Sequence, residues 1–231
     1  MSIPYPFGTQ RIGSARTATP RIIFRSGTMV TVKTAGAFID GVYSRDTGNT
    51  GNLDVLRAGT LMGKITSSGY WANSIIGLSN AAYTSGTTLT LTAVAVTELN
   101  RRIGASGTFK IVGPSTANGV VNEETVTYSA LPTSTTATIT ALSNDYISGS
   151  LILPNDGSEY PRTFIPDGWG QKVTDLDAAN TYVDFPELPI MGEVISANII
   201  YWPSDTGLRD WIVGMMEAQG FGKWVFDYKF S

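Results

Sequence analysis

A mainly β fold is what this chain predicts, on three observations. Runs of alternating apolar and polar residues recur at 28–33, 37–43, 87–96, 108–112, 124–129 and 135–142. Clusters of Gly, Asn, Asp, Ser and Pro separate them, and these are the residues that turn a chain. Charged residues make up only 15% of the 231 positions, well below an average soluble domain, while glycine occurs 25 times. Apolar residues at 42% suffice for a sizeable core.

Residues 1–26 read as an extended arm, because Pro4, Pro6 and Pro20 interrupt any helical or strand period. The arm carries Tyr5 and Phe7 as aromatic anchors and Arg11, Arg16 and Arg21 as cations. Its last segment, Arg21-Ile22-Ile23-Phe24-Arg25, fits two readings equally: the first strand of the body, or a strand added to the edge of a partner's sheet. Residues 1–39 hold five basic and no acidic residues, hence +5. The 11 basic and 19 acidic residues of the remaining chain give −8. A basic arm on an acidic body suits docking on an acidic surface. Nucleic acid is not an expected partner, since five dispersed cations come without an aromatic stacking pattern or a recognition helix.

The body is expected to comprise 27–72 and 154–231. Residues 28–33 and 37–43 read as a hairpin about Gly36, and 46–52 is a polar turn cluster. A second hairpin spans 57–71: Gly59-Thr60 opens a short strand, Leu61 and Met62 are apolar, Gly63 permits close approach, and Ile65-Thr66 precedes the turn Ser67-Ser68-Gly69. Gly59 to Lys64 is not a phosphate loop, because three residues rather than four separate the glycines and Ile65 stands where Ser or Thr would hold magnesium.

Residues 73–153 read as an inserted β-sandwich or barrel of about five strands, with 87–96 as one strand and 97–103 as a short helix. An insert of this kind leaves and re-enters its parent at neighbouring points and projects from it. Five prolines within 154–191 exclude long helices there. Asp175, Asp177 and Asp184 do not form a calcium loop, since Ala179 and Asn180 occupy the ligand and glycine positions. The run Pro189-Ile190-Met191-Gly192-Glu193-Val194 is a late strand. A helix capped by Ser204, Asp205 or Thr206 follows, with Leu208, Trp211, Ile212 and Met215 on its apolar face, and 224–230 is a closing strand.

Two of these patches, 57–71 and 189–230, resemble in order and spacing the head decoration (cement) proteins of lambda-like tailed bacteriophages. The first patch carries the family hairpin at Gly59, Thr60, Gly63, Ile65, Thr66 and Gly69. The second carries the strand with Gly-Glu-Val, then a short amphipathic helix and an aromatic-ending strand. The resemblance implies a small β-barrel or tulip-like core with a short C-terminal helix. It also implies a homotrimer on the outside of the expanded head, made in a host cytoplasm and partnered by the major capsid protein. Tyr5, Phe7, Arg11, Arg16, Arg21, Ile22, Ile23 and Phe24 would then be the contacts of the arm.

The chain has no cysteine and no histidine, which removes thiolate, Ser-His-Asp and His-ligand chemistry. Its Asp and Glu residues fall where solvation and helix dipoles place them, so catalysis, a cofactor and a metal are not expected. No apolar run is long enough to cross a membrane, and the N-terminus lacks the order of a signal peptide. A second function class stays open: a tail or fibre component whose 73–153 unit meets a host surface and binds carbohydrate. That would need exposed aromatics among Tyr83, Phe109, Tyr128 and Tyr146.

Overall fold

The turn after Lys64 folds the chain back on itself, and the body is built around that hairpin. The structure is a computed structural model. It describes residues 23–24, 31–33, 37–46, 48–49, 53–166, 171–173, 182–184, 188–218 and 223–227, which are mainly β. The first elements are β1 (Thr31–Lys33), β2 (Phe38–Asp40), β3 (Val55–Leu56), β4 (Leu61–Lys64) and β5 (Trp71–Asn73). β4 and β5 pair antiparallel with Met62 opposite Asn73 and Lys64 opposite Trp71. The turn is closed by Gly69 N donating to the Ile65 carbonyl (2.9 Å) and Ile65 N to Tyr70 (2.8 Å).

β1 and β2 do not form the expected hairpin. β2 lies beside β5, whereas β1 pairs with the distant β15 (Leu188–Val194). Alternation identifies a strand but not its partner. Ile39 of β2 is fully buried against Leu56, Met62 and Trp71, and that long-range packing decides the pairing.

Residues 77–153 form a single six-stranded sheet: β6 (Gly77–Leu78), β7 (Thr88–Thr90), β8 (Gly107–Pro114), β9 (Val121–Thr133), β10 (Thr136–Ile139) and β11 (Leu151–Leu153), in the order β6-β11-β8-β9-β10-β7. The run at 87–96 is not one strand. Thr92 Oγ1 accepts from Ala95 N and starts helix α1 (Ala93–Arg102). Ala95, Val96 and Leu99 pack on the sheet, so a helical face is hidden inside an Ala-Val-Ala-Val string that also reads as a strand.

The sheet is covered on both faces. Along β8, Phe109 and Ile111 join the α1 core while Val112 turns to the other side; along β11, Ile152 and its neighbours Leu151 and Leu153 divide the same way. Val112, Leu151 and Leu153 share a core with Phe24, Leu61, Phe164 and helix α2 (Thr206–Ala218). This stretch therefore does not stand off from the body as a projecting unit would.

Arg102, at the end of α1, ties Asn73 to the 156–158 stretch. Its buried guanidinium donates to the carbonyl of Asn73 (2.9 Å), to Asp156 Oδ2 (2.9 Å) and to Ser158 Oγ (2.5 Å). Burial alone would raise the Asp156 carboxyl, but Arg102 and the Ser158 hydroxyl outweigh it and hold the carboxyl below its usual range. The unfolded chain thus takes up this proton at a higher pH than the folded one. The contribution is complete above an unfolded aspartate pKa of about 3.9 and is lost as pH falls through the folded value. Urea midpoints are expected to decline below about pH 4 in the wild type and less steeply in Asp156→Asn. Equal slopes in the two proteins would assign the acid loss to other carboxylates.

The remaining strands are β12 (Thr163–Phe164), β13 (Gln171–Lys172), β14 (Tyr182–Asp184) and β16 (Lys223–Phe226). They complete a five-stranded sheet, β12-β4-β5-β2-β14, a three-stranded sheet, β1-β15-β16, and a β13-β3 pair. Asp205 caps α2 by accepting from Leu208 N (2.9 Å). Leu208, Ile212, Val213 and Met216 are its buried residues; Trp211 and Met215 stay half-buried, so the inner face is turned slightly from the expected one. α2 returns the chain for β16 to pair parallel with β15.

Candidate functional site

Three segments distant in sequence meet at one edge of the body: 23–24, 57–60 and 195–203. Ile195 N donates to the Ile23 carbonyl (2.7 Å), Phe24 bridges Val194, and Ile200 N donates to the Gly59 carbonyl (2.9 Å). Gly59 is required here twice over. Its φ is +85°, and a Cβ would lie 2.4 Å from the Asn198 carbonyl oxygen. Thr60 Oγ1 donates to the Arg57 carbonyl (2.7 Å), which tightens the turn into β4.

The rest of the hairpin motif serves its packing. Gly63 runs against the backbone of Ser158, where a Cβ would sit 2.1 Å from the carbonyl oxygen. Ile65 is buried, and Thr66 N donates to the Asp156 carbonyl (2.8 Å) while its side chain is exposed. Gly69 takes a φ of +72° in the turn.

Beyond this meeting point lies an open groove of about 560 Å³, lined among others by Arg57, Ile199, Ile200, Tyr201, Trp202 and Arg209. Its wall is fixed by charge. Asp46 receives Arg57 in a two-point bond, Nε to Oδ2 at 2.6 Å and Nη2 to Oδ1 at 2.9 Å. Arg209 Nε donates to the Pro203 carbonyl (2.8 Å). Trp202 stacks on Phe226, with centroids 5.4 Å apart and rings 7° from parallel.

Tyr201 is held at φ +61°, a left-handed conformation that costs a residue with a side chain about 1 kcal/mol or more. Burial, and then the charge of Asp46, push its phenol up to about 12, so it stays neutral at physiological pH. Two guanidinium groups, a neutral phenol and an indole are thus gathered at the groove. Among the described residues, no group of three His, Cys, Asp or Glu side chains lies in metal-binding range.

Of the expected arm contacts, Tyr5, Phe7, Arg11, Arg16, Arg21 and Ile22 lie outside the described residues. Ile23 and Phe24 are corrected: both are buried in the central core, and Phe24 lies 5.4 Å from the Phe164 ring. These two residues belong to the body, joined to it by a single β-bridge from Phe24 to Val194 rather than as part of a strand. Bracketing arginines made them look like an arm, but the gain from burying both side chains in this chain decides their place.

Tyr83, Phe109, Tyr128 and Tyr146 are all core residues of the 77–153 sheet. Their hydroxyls are used internally: Tyr128 donates to Gly104, Tyr146 to Glu124, and Tyr83 to Gly86. The unit thus presents none of these rings as a sugar-stacking platform. Sequence reading missed the groove itself, although Ile199-Ile200-Tyr201-Trp202-Pro203 is an apolar run stopped by proline just before a capped helix. Comparison of the chain with protein-family models, with curated proteins and with solved structures gave no match.

Proposed function

We propose that the chain is a decoration protein of a tailed-phage capsid, bound as a trimer at three-fold and quasi-three-fold positions outside the expanded head, where it ties coat subunits together against the pressure of packaged DNA. One observation carries this reading. The two stretches whose motifs resemble that family, 57–71 and 189–230, fold against each other through the Gly59 to Ile200 bond, and the basic N-terminal segment enters the body beside them through Ile23 and Ile195. In this reading 27–72 and 154–231 form the decoration core, a barrel or tulip-like β structure with α2 as its short helix, and 73–153 is an insertion that shares its core.

The mechanism is mechanical. Tyr5, Phe7, Arg11, Arg16, Arg21 and Ile22 order on the coat surface, the cations against acidic groups and the rings in apolar recesses. Ordering costs roughly 1–2 kcal/mol of backbone entropy per residue, so the anchors must be buried for the arm to hold. Repetition over a symmetric lattice lets each contact be modest. Burial of the four aromatics of the 77–153 sheet disfavours the alternative of a sugar-binding fibre module.

Since Ile23 and Phe24 are core residues, the informative truncation stops short of them. Deleting residues 1–20 is expected to leave the urea midpoint nearly unchanged and to abolish co-sedimentation with expanded heads. Saturable binding by the truncated protein would contradict the arm mechanism.

A further inference from the structure

Phe38 of β2, Tyr70 at the entry to β5 and Tyr182 of β14 meet on the outer face of the five-stranded sheet. β2 lies between β5 and β14, with Ile39 opposite both Trp71 and Val183. Those three residues pack into the core, so alternation sends Phe38, Tyr70 and Tyr182 the other way. The Tyr70 and Tyr182 ring centroids lie 5.1 Å apart with the planes tilted by 47°, and Phe38 lies 5.0 Å from Tyr182 and 6.0 Å from Tyr70. Tyr182 is 36% exposed and Tyr70 half-buried. Neither phenol hydroxyl has a hydrogen-bond partner among the described residues. By contrast Tyr83, Tyr128 and Tyr146 are buried with their hydroxyls bonded, and the Tyr160 hydroxyl is bonded to Lys110 and Glu123.

We propose that Tyr70 and Tyr182 are an oxidative cross-linking site, at which a carbon–carbon bond between the two rings staples β14 to the β4–β5 hairpin. The co-reactant is hydrogen peroxide, spent through a haem peroxidase. Each phenol gives up its hydroxyl hydrogen as one electron and one proton. The two phenoxyl radicals couple at ring carbons ortho to oxygen, and the hydrogens on those carbons move to the oxygens, which restores both aromatic rings. In all, two hydrogen atoms leave and reduce one peroxide to two waters. Coupling needs ring rims in contact and access for the oxidant, and this pair has both. Phe38, without a hydroxyl, props the two rings side by side and takes no part in the reaction. The chain has no cysteine, so a disulfide is not open to it. The new bond closes a long loop of the unfolded chain, which is how a disulfide stabilises in the chain-entropy account. The site is independent of the decoration role.

The full chain, kept dilute, is treated with hydrogen peroxide and a small haem-peptide peroxidase, and the monomer is isolated on a denaturing gel and digested with trypsin. A joined pair of peptides, 65–101 with 173–209, is expected, two hydrogens lighter than their sum and with the blue emission of a biphenol. Tyr70→Phe and Tyr182→Phe keep the ring and remove the hydroxyl. Each is expected to lower the yield of this pair about tenfold while leaving the urea midpoint of the untreated protein unchanged. No joined pair from the wild type, or a yield that survives either substitution, would overturn the proposal. The cross-linked monomer is expected to unfold at a higher urea concentration than Tyr70→Phe treated alike, and equal midpoints would overturn the stapling.

Discussion

Replacing Arg102 by Met is expected to lower the unfolding free energy by about 3–5 kcal/mol, the cost of removing one partner from a buried ion pair. Three acceptors converge on this guanidinium, and two of their residues have no route to water: Asn73 is 3% exposed and Ser158 is fully buried. Methionine fills much of the volume but offers no donor, so the Asn73 carbonyl is stranded inside the fold while the Ser158 hydroxyl keeps only its bond to Asp156 Oδ1 (2.7 Å). Asp156 keeps 30% of its side chain exposed and can turn outward, which places the expected loss toward the lower end of the range. Arg102→Lys retains the charge but not the fork that reaches three groups, and should recover only part of the loss. Urea unfolding followed by tryptophan fluorescence checks this, and a loss under about 1 kcal/mol would show that the clamp is dispensable.

Phe24→Ala is expected to cost about 3–5 kcal/mol, the usual penalty for emptying a phenylalanine site in a packed core. The ring lies against Phe164, which in turn lies 5.0 Å from Trp224. It also occupies the space above Gly192, where a Cβ would come within 2.6 Å of it. Head binding by the fraction that remains folded should be unchanged. Unchanged stability with lost head binding would return Phe24 to the arm.

The legible parts of the sequence were those where a local signal sufficed. The turn at 67–69 and the alternation around it give the β4–β5 hairpin, and an acid before an apolar helical face gives α2. Alternation at 108–112 and 124–129 likewise marks β8 and β9, which pair from Gly107 opposite Tyr128 to Pro114 opposite Val121. Illegible were the choices settled by distant residues. β1 and β2 take separate partners because Ile39 packs against Leu56, Met62 and Trp71. Thr92 makes a helix of a string with strand character. The groove was partly readable in its apolar run, but its cationic wall depends on Asp46 reaching Arg57.

The most direct test of the decoration role is cryo-electron microscopy of expanded heads stripped of this chain and then mixed with the purified protein. The account predicts saturable density at three-fold and quasi-three-fold positions, with residues 1–22 traced along the coat. Bare heads, with density for the chain at a tail or fibre of the native virion, would contradict it.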